Sequence, residues 1–106
     1  MTHVPKYFIK IPYNDPAGFA RIGSTLKIPL KEHNDVFLGS NFCICCRLNM
    51  KNNPYTVMIG FHSLDDLLLV GSLVKAITKI LEVPMHETYY VLILETEEQF
   101  PVSFFD

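Results

Sequence analysis

The hydrophobic period of this chain changes at Ser63, and that change constrains the fold more than any other feature. Before it, Phe42, Ile44, Cys46, Leu48 and Met50 alternate with Cys43, Cys45, Arg47 and Asn49, and Tyr55, Val57, Ile59 and Phe61 resume the alternation. A period of two puts each set on one face of a strand. Lys51-Asn52-Asn53-Pro54 between the runs has turn chemistry, so the two runs read as a hairpin. After Ser63 the period becomes helical: Leu67, Leu69, Val70, Leu73, Val74, Ile77, Ile80 and Leu81 share one arc, with Asp65, Ser72, Lys75 and Lys79 opposite. Ser63 can accept an orphan amide bond at the helix start, Asp65 and Asp66 suit the positive end of the helix dipole, and Pro84 stops the helix after about Leu81. A half-apolar hairpin and a half-apolar helix adjacent in the chain are stable only when each covers the other.

The rest of the chain extends this plan. Lys6 to Tyr13 reads as a strand with Tyr7, Ile9 and Ile11 on one side and Phe8 and Lys10 on the other. Asn14-Asp15-Pro16-Ala17-Gly18 supplies a turn. Phe19 to Leu30 is expected to return as a strand, because Leu26, Ile28 and Leu30 alternate with Lys27 and Pro29, and Lys31 to Ser40 to form a polar loop. Gly71 weakens the helix by about 1 kcal/mol relative to Ala, which a close approach of a strand would explain. Tyr89 to Leu94 is apolar throughout, as a strand covered on both faces would be. Glu95-Thr96-Glu97-Glu98 interrupts it before Phe100 to Phe105 resumes as a short terminal strand or docked tail. The expected fold is one α+β domain over residues 1–106, an antiparallel β-sheet of about five or six strands packed against one long α-helix.

Several classes of function are disfavoured. The most apolar segment, Leu67 to Val74, is far shorter than the roughly 20 residues of a membrane-spanning helix, and the N-terminal residues lack the basic and apolar regions of a secretory signal. Cys43, Cys45 and Cys46 are odd in number and crowded together, which fits a reducing cytoplasm better than a disulfide framework. A net charge of −2 offers no broad basic face for nucleic acid. That total conceals an asymmetry: residues 1–81 hold nine bases and five acids, whereas residues 82–106 hold six acids and no base. Such a segment can form an acidic interaction surface.

Candidate chemistry is sparse. Cys43 and Cys45 fall on the same strand face about 7 Å apart and Cys46 on the other, so three thiolates do not readily converge on a metal, and small buried hydrophobes are the simpler reading. His3, His33, His62 and His86 form no i, i+4 pair. Asp65 and Asp66 are explained by helix capping, and the single, scattered glycines form no phosphate loop. No catalytic residue, metal site or cofactor is therefore expected. Glu87, Glu95, Glu97 and Glu98, with Asp106, are the candidates for contact with a basic partner surface. Leu68, toward the polar side of the helix with Leu64, is the candidate for an apolar contact.

Phe61-His62-Ser63-Leu64-Asp65-Asp66-Leu67-Leu68, within a stretch from Phe42 to Leu81 of Cys-containing strand, turn, strand and helix, resembles a family of small bacterial domains of unknown function, and Gln99-Phe100-Pro101 adds to the likeness. Small α+β chains of this kind also resemble the immunity proteins that bacteria make alongside polymorphic toxins. That resemblance implies a non-enzymatic cytoplasmic protein-binding module that neutralises a toxin domain with a basic surface by direct binding, without nucleic acid or membrane. The alternatives are a structural or regulatory subunit acting as a homo-oligomer, and a small enzyme or ligand carrier using Cys43 or His62.

Overall fold

The structure, a computed structural model, describes residues 5–15, 17–26, 30–31, 36–38, 42–48 and 55–104. Its strands are β1 (Tyr7–Tyr13), β2 (Leu30–Lys31), β3 (Val36–Leu38), β4 (Phe42–Leu48), β5 (Tyr55–Phe61), β6 (Tyr89–Ile93) and β7 (Gln99–Val102). Its helices are α1 (Gly18–Leu26) and α2 (Leu67–Leu81), the latter preceded by a 3₁₀ turn at Leu64–Asp66. The protein is α+β, with an antiparallel sheet in the order β2-β3-β4-β5-β1-β6-β7. Among the described residues the sheet has seven strands against the expected five or six: β3 and Lys31 of β2 fall where a polar loop is expected, Leu30 of β2 ends the segment expected as a strand, and both short strands extend the sheet beyond β4.

The hairpin read from alternation is present, with β4 and β5 paired from Phe42↔Phe61 to Leu48↔Tyr55. The connecting turn at Lys51 to Pro54 and the side chains of Cys46, Arg47 and Leu48 lie outside the described residues. β1 adds to the other side of β5, with Ile9 opposite both Ile59 and Val91 of β6. Ile9, Ile11, Tyr13, Ile44, Val57, Ile59, Phe61, Tyr89 and Val91 are buried on the face that meets the helices. α2 closes that face with Val70, Leu73, Val74, Ile77 and Leu81. Leu69, expected in the buried arc, is 40% exposed, because it lies on the flank of the arc centred on Val70, Val74 and Ile77.

The segment expected to return as a strand after β1 instead begins as helix α1. Phe19, Ile22 and Leu26 recur at helical spacing, Ile22 is fully buried, and Phe19 and Leu26 pack against the core. The alternation at Leu26, Ile28 and Leu30 misled because it begins where the helix ends. Asp15 starts α1: its Oδ1 accepts the Ala17 amide at 2.9 Å, its carbonyl accepts the Gly18 amide at 2.9 Å, and its Oδ2 pairs with Arg21. Arg21 holds the Asp15 carboxyl below the usual carboxylate range, first through that hydrogen bond and with help from the Ala17 amide. Arg21 also donates to the Ile80 carbonyl at 3.4 Å, joining α1 to the end of α2.

The ends of α2 follow local chemistry. Ser63 Oγ accepts the Asp65 amide at 3.1 Å, so the expected cap exists, although it opens the 3₁₀ turn ahead of α2. At the other end Glu82 turns left-handed (φ 58°), and the Val83 amide reaches the Thr78 carbonyl at 3.1 Å, so the helix closes before Pro84 is reached. Gly71 makes room for a side chain after β7 rather than for a strand: a Cβ there would lie 2.7 Å from Cδ1 of Phe104.

The reading of residues 89–94 as covered on both faces is corrected. β6 does run inside the sheet, between β1 and β7, but Tyr89 and Val91 are buried while Tyr90 is 57% exposed. Helices cover one face only along this strand.

Candidate functional site

The strand register determines which exposed residues share a neighbourhood. Tyr7 stands opposite Phe61 on one side and Ile93 on the other, so β5 and β6 finish at the same end of the sheet. From that end β5 leads through Ser63 into the 3₁₀ turn and α2, and β6 leads into the turn before β7. Residues far apart in sequence thereby emerge together: Leu64 and Leu68 from the helix start, and Leu94, Glu95, Glu97 and Glu98 from the β6–β7 turn.

The β6–β7 turn is tied down by its backbone. Ile93 donates to the Glu98 carbonyl at 2.8 Å, Glu97 to the Ile93 carbonyl at 2.8 Å, and Leu94 to the Lys6 carbonyl at 3.0 Å, while the Glu98 amide meets Thr96 Oγ1 at 3.3 Å. Glu97 takes a left-handed conformation at φ 61° to make this closure. A turn anchored at both strands and to β1 presents its carboxylates from a fixed frame, which lowers the ordering cost of binding.

Glu95, Glu97 and Glu98 are all exposed, and among the described residues none of their carboxylates forms an ion pair. Asp65 and Asp66 add acids at the helix start. Lys6, whose carbonyl accepts the Leu94 amide, has its ammonium 5.7 Å from the centre of the Tyr7 ring. The same end exposes Leu68 to 89%, Leu94 to 43% and Leu64 to 42%. Leu64 and Leu68 are one helical turn apart, so they can present a continuous apolar ridge.

Register and connectivity thus place the start of α2, with Leu64 and Leu68, and the β6–β7 turn, with Glu95, Glu97 and Glu98, at the same end of the sheet. The structure places Glu87 elsewhere, in the segment entering β6 at the opposite end of that strand. Asp106 lies outside the described residues. Leu94 reads in sequence as the last residue of a buried strand, yet it is exposed. Its position directly before the first of three glutamates was the available signal.

The remaining chemistry-bearing residues have structural surroundings. Cys43 and Cys45 share the sheet face away from the helices, opposite Gly60 and Met58. Burial pushes the Cys43 thiol up, outweighing a backbone hydrogen bond from Gly60 that acts the other way. This is the opposite of an activated nucleophile. Because the folded state favours the neutral thiol, its stabilising effect is complete below the unfolded thiol's value of about 8.5 and is lost as pH rises through the folded value. At pH 8, iodoacetamide is expected to alkylate Cys43 more slowly in the folded protein than in urea; equal rates, read by peptide mass spectrometry, would contradict this burial.

His86 uses its backbone amide to donate to Tyr89 Oη at 3.1 Å, and its ring meets the Tyr89 ring edge-on. Among the described residues no three of His, Cys, Asp and Glu gather as a metal-binding group, and no helix is long and apolar enough to cross a membrane. Comparison with known proteins returns no matching family model, curated protein or solved structure.

Proposed function

We propose that this chain is a non-enzymatic, cytoplasmic protein-binding module of the immunity-protein type, which neutralises a toxin domain by covering its basic surface. The observation that carries this reading is the exposure, at the same end of the sheet, of Leu64, Leu68 and Leu94 and of Glu95, Glu97 and Glu98, whose carboxylates form no ion pair among the described residues. The two groups have different physical roles. Burying a leucine side chain contributes about 1.5–3 kcal/mol, so the leucines supply affinity. Rim carboxylates attract a basic surface over a distance, raise the association rate and disfavour acidic competitors.

The test is capture of the tagged protein's partner from its native cytoplasm at low and high salt, with two variants alongside the wild type. The Glu95→Lys/Glu97→Lys/Glu98→Lys protein is expected to lose a stoichiometric basic partner, chiefly through slower association at low salt. Leu68→Glu is expected to lose it through faster dissociation, with the circular dichroism and melting temperature of the wild type. A partner retained equally by both variants overturns the proposed surface. Sedimentation of the purified chain separates the homo-oligomeric alternative: a mass that rises with concentration and returns to the monomer in Leu68→Glu identifies a second copy as the occupant.

The terminal strand is a poorer docking element. Since Ile93 donates to Glu98, the pairs alternate so that Gln99 and Pro101 direct their backbone groups away from β6. Pro101 has no amide to offer at that open edge, which discourages strand addition there.

A further inference from the structure

On the sheet face away from the helices, β1, β6 and β7 frame a recess of about 260 Å³ lined by Lys10, His86, Thr88, Tyr89, Tyr90, Leu92 and Gln99. Its position follows from register. Leu92 stands opposite Gln99, and Ile9 opposite Val91, so the next residues along, Lys10 and Tyr90, flank the same interstrand space. Alternation sends Lys10, Tyr90, Leu92 and Gln99 to one face, while the segment before β6 contributes Thr88 and His86.

The lining separates into two kinds of surface. Tyr90 and Leu92 supply an aromatic and an aliphatic wall. Lys10, Gln99 and Thr88 supply an ammonium, an amide and a hydroxyl, none of which makes a side-chain hydrogen bond or ion pair among the described residues. Glu87 lies between His86 and Thr88 in the chain but does not line the recess. One cation, uncompensated by any lining carboxylate, therefore faces an apolar wall across a small concavity. Pockets for drug-sized molecules begin near 300 Å³, so the occupant is smaller than these.

We propose that this recess binds a small organic carboxylate, with the carboxylate at Lys10 and Gln99 and a compact aromatic or branched body against Tyr90 and Leu92. A charge-assisted hydrogen bond to the ammonium supplies the polar anchor, and the walls recognise the body. The site is distinct from the acidic sheet end in its lining, which includes no carboxylate, although its Leu92–Gln99 pair stands one register step from Ile93 and Glu98.

A free acid and a peptide C-terminus present the same group, so two probes are used, benzoate and acetyl-glycyl-phenylalanine, with inorganic phosphate as the comparison anion. Each is titrated into the ¹⁵N-labelled full chain and followed by amide shifts. Saturable shifts at Thr88, Tyr90, Leu92 and Gln99 with either carboxylate are expected, the stronger of the two identifying the source. Lys10→Met retains the aliphatic stem while removing the charge and is expected to weaken binding at least tenfold, about 1.4 kcal/mol. Gln99→Ala, a second variant on an edge strand, is expected to weaken it less. No saturable shift with either carboxylate, shifts unchanged in Lys10→Met, or phosphate binding as tightly as both carboxylates would each overturn the assignment, the last because the apolar wall would then contribute nothing.

Discussion

Phe61→Ala is expected to lower the free energy of unfolding by about 3–5 kcal/mol, the usual range for removing a buried aromatic ring. Phe61 is fully buried at the end of β5, stands opposite Phe42 on one side and Tyr7 on the other, and stacks with the Tyr7 ring at a centroid distance of 5.4 Å. Neighbours paired in the sheet on both sides cannot readily collapse into the space left by the ring. The loss is large against the roughly 5–15 kcal/mol that holds a typical domain together. Urea denaturation followed by circular dichroism measures it. Leu68→Ala provides the contrast: at 89% exposure its removal should change stability by no more than about 0.5 kcal/mol. Similar losses in the two variants would show that the Phe61 ring is not buried in the core.

Gly71→Ala is expected to change sign with its background. In an isolated helix the substitution stabilises by about 1 kcal/mol. Here the new methyl would lie 2.7 Å from Cδ1 and 3.2 Å from Cε1 of Phe104, and overpacking of this kind costs about 1–3 kcal/mol. Gly71→Ala alone should therefore be destabilising or displace the segment after β7. In a Phe104→Ala background the obstacle is gone and the same substitution should stabilise. Phe104→Ala itself removes the ring packed 6.0 Å from Tyr89, so it lowers stability before the second change is made. A double-mutant cycle is expected to give a coupling of about 0.5–3 kcal/mol. Additive effects would mean that Phe104 does not press on the helix at Gly71 in solution.

These two sites also show what was legible beforehand. Phe61 was placed by its own alternation with Ile59 and Val57, a signal carried by neighbours two residues apart. The space above Gly71 was visible only as a weakness in a good helix, because Phe104, the group that fills it, is separated from it by a strand hairpin. The candidate surface divides in the same way. Glu95, Glu97, Glu98 and Leu68 are each identifiable from charge or helical projection, but only proximity in the acidic segment groups Glu87 with them, and the structure puts it at the other end of β6. Lys10 reads in sequence simply as one side of a strand, since Tyr90, Leu92 and Gln99 come from strands eighty or more residues later.

What the sequence determined by itself was the local structure: the β4–β5 hairpin, the extent of α2, the Ser63 cap and the strand character of β1 and β6. Each rests on side chains within a few positions of one another, where the period of the backbone and short-range hydrogen bonds dominate. The tertiary structure decided the rest. It turned residues 18–26 into a helix by giving Ile22 a core to enter. It set β1 between β5 and β6, left Tyr90 on one face of β6 exposed, and put the start of α2 and the β6–β7 turn at a common end of the sheet. Those outcomes depend on strand order and register, which follow from the joint burial of all the apolar faces and are not encoded in any one segment.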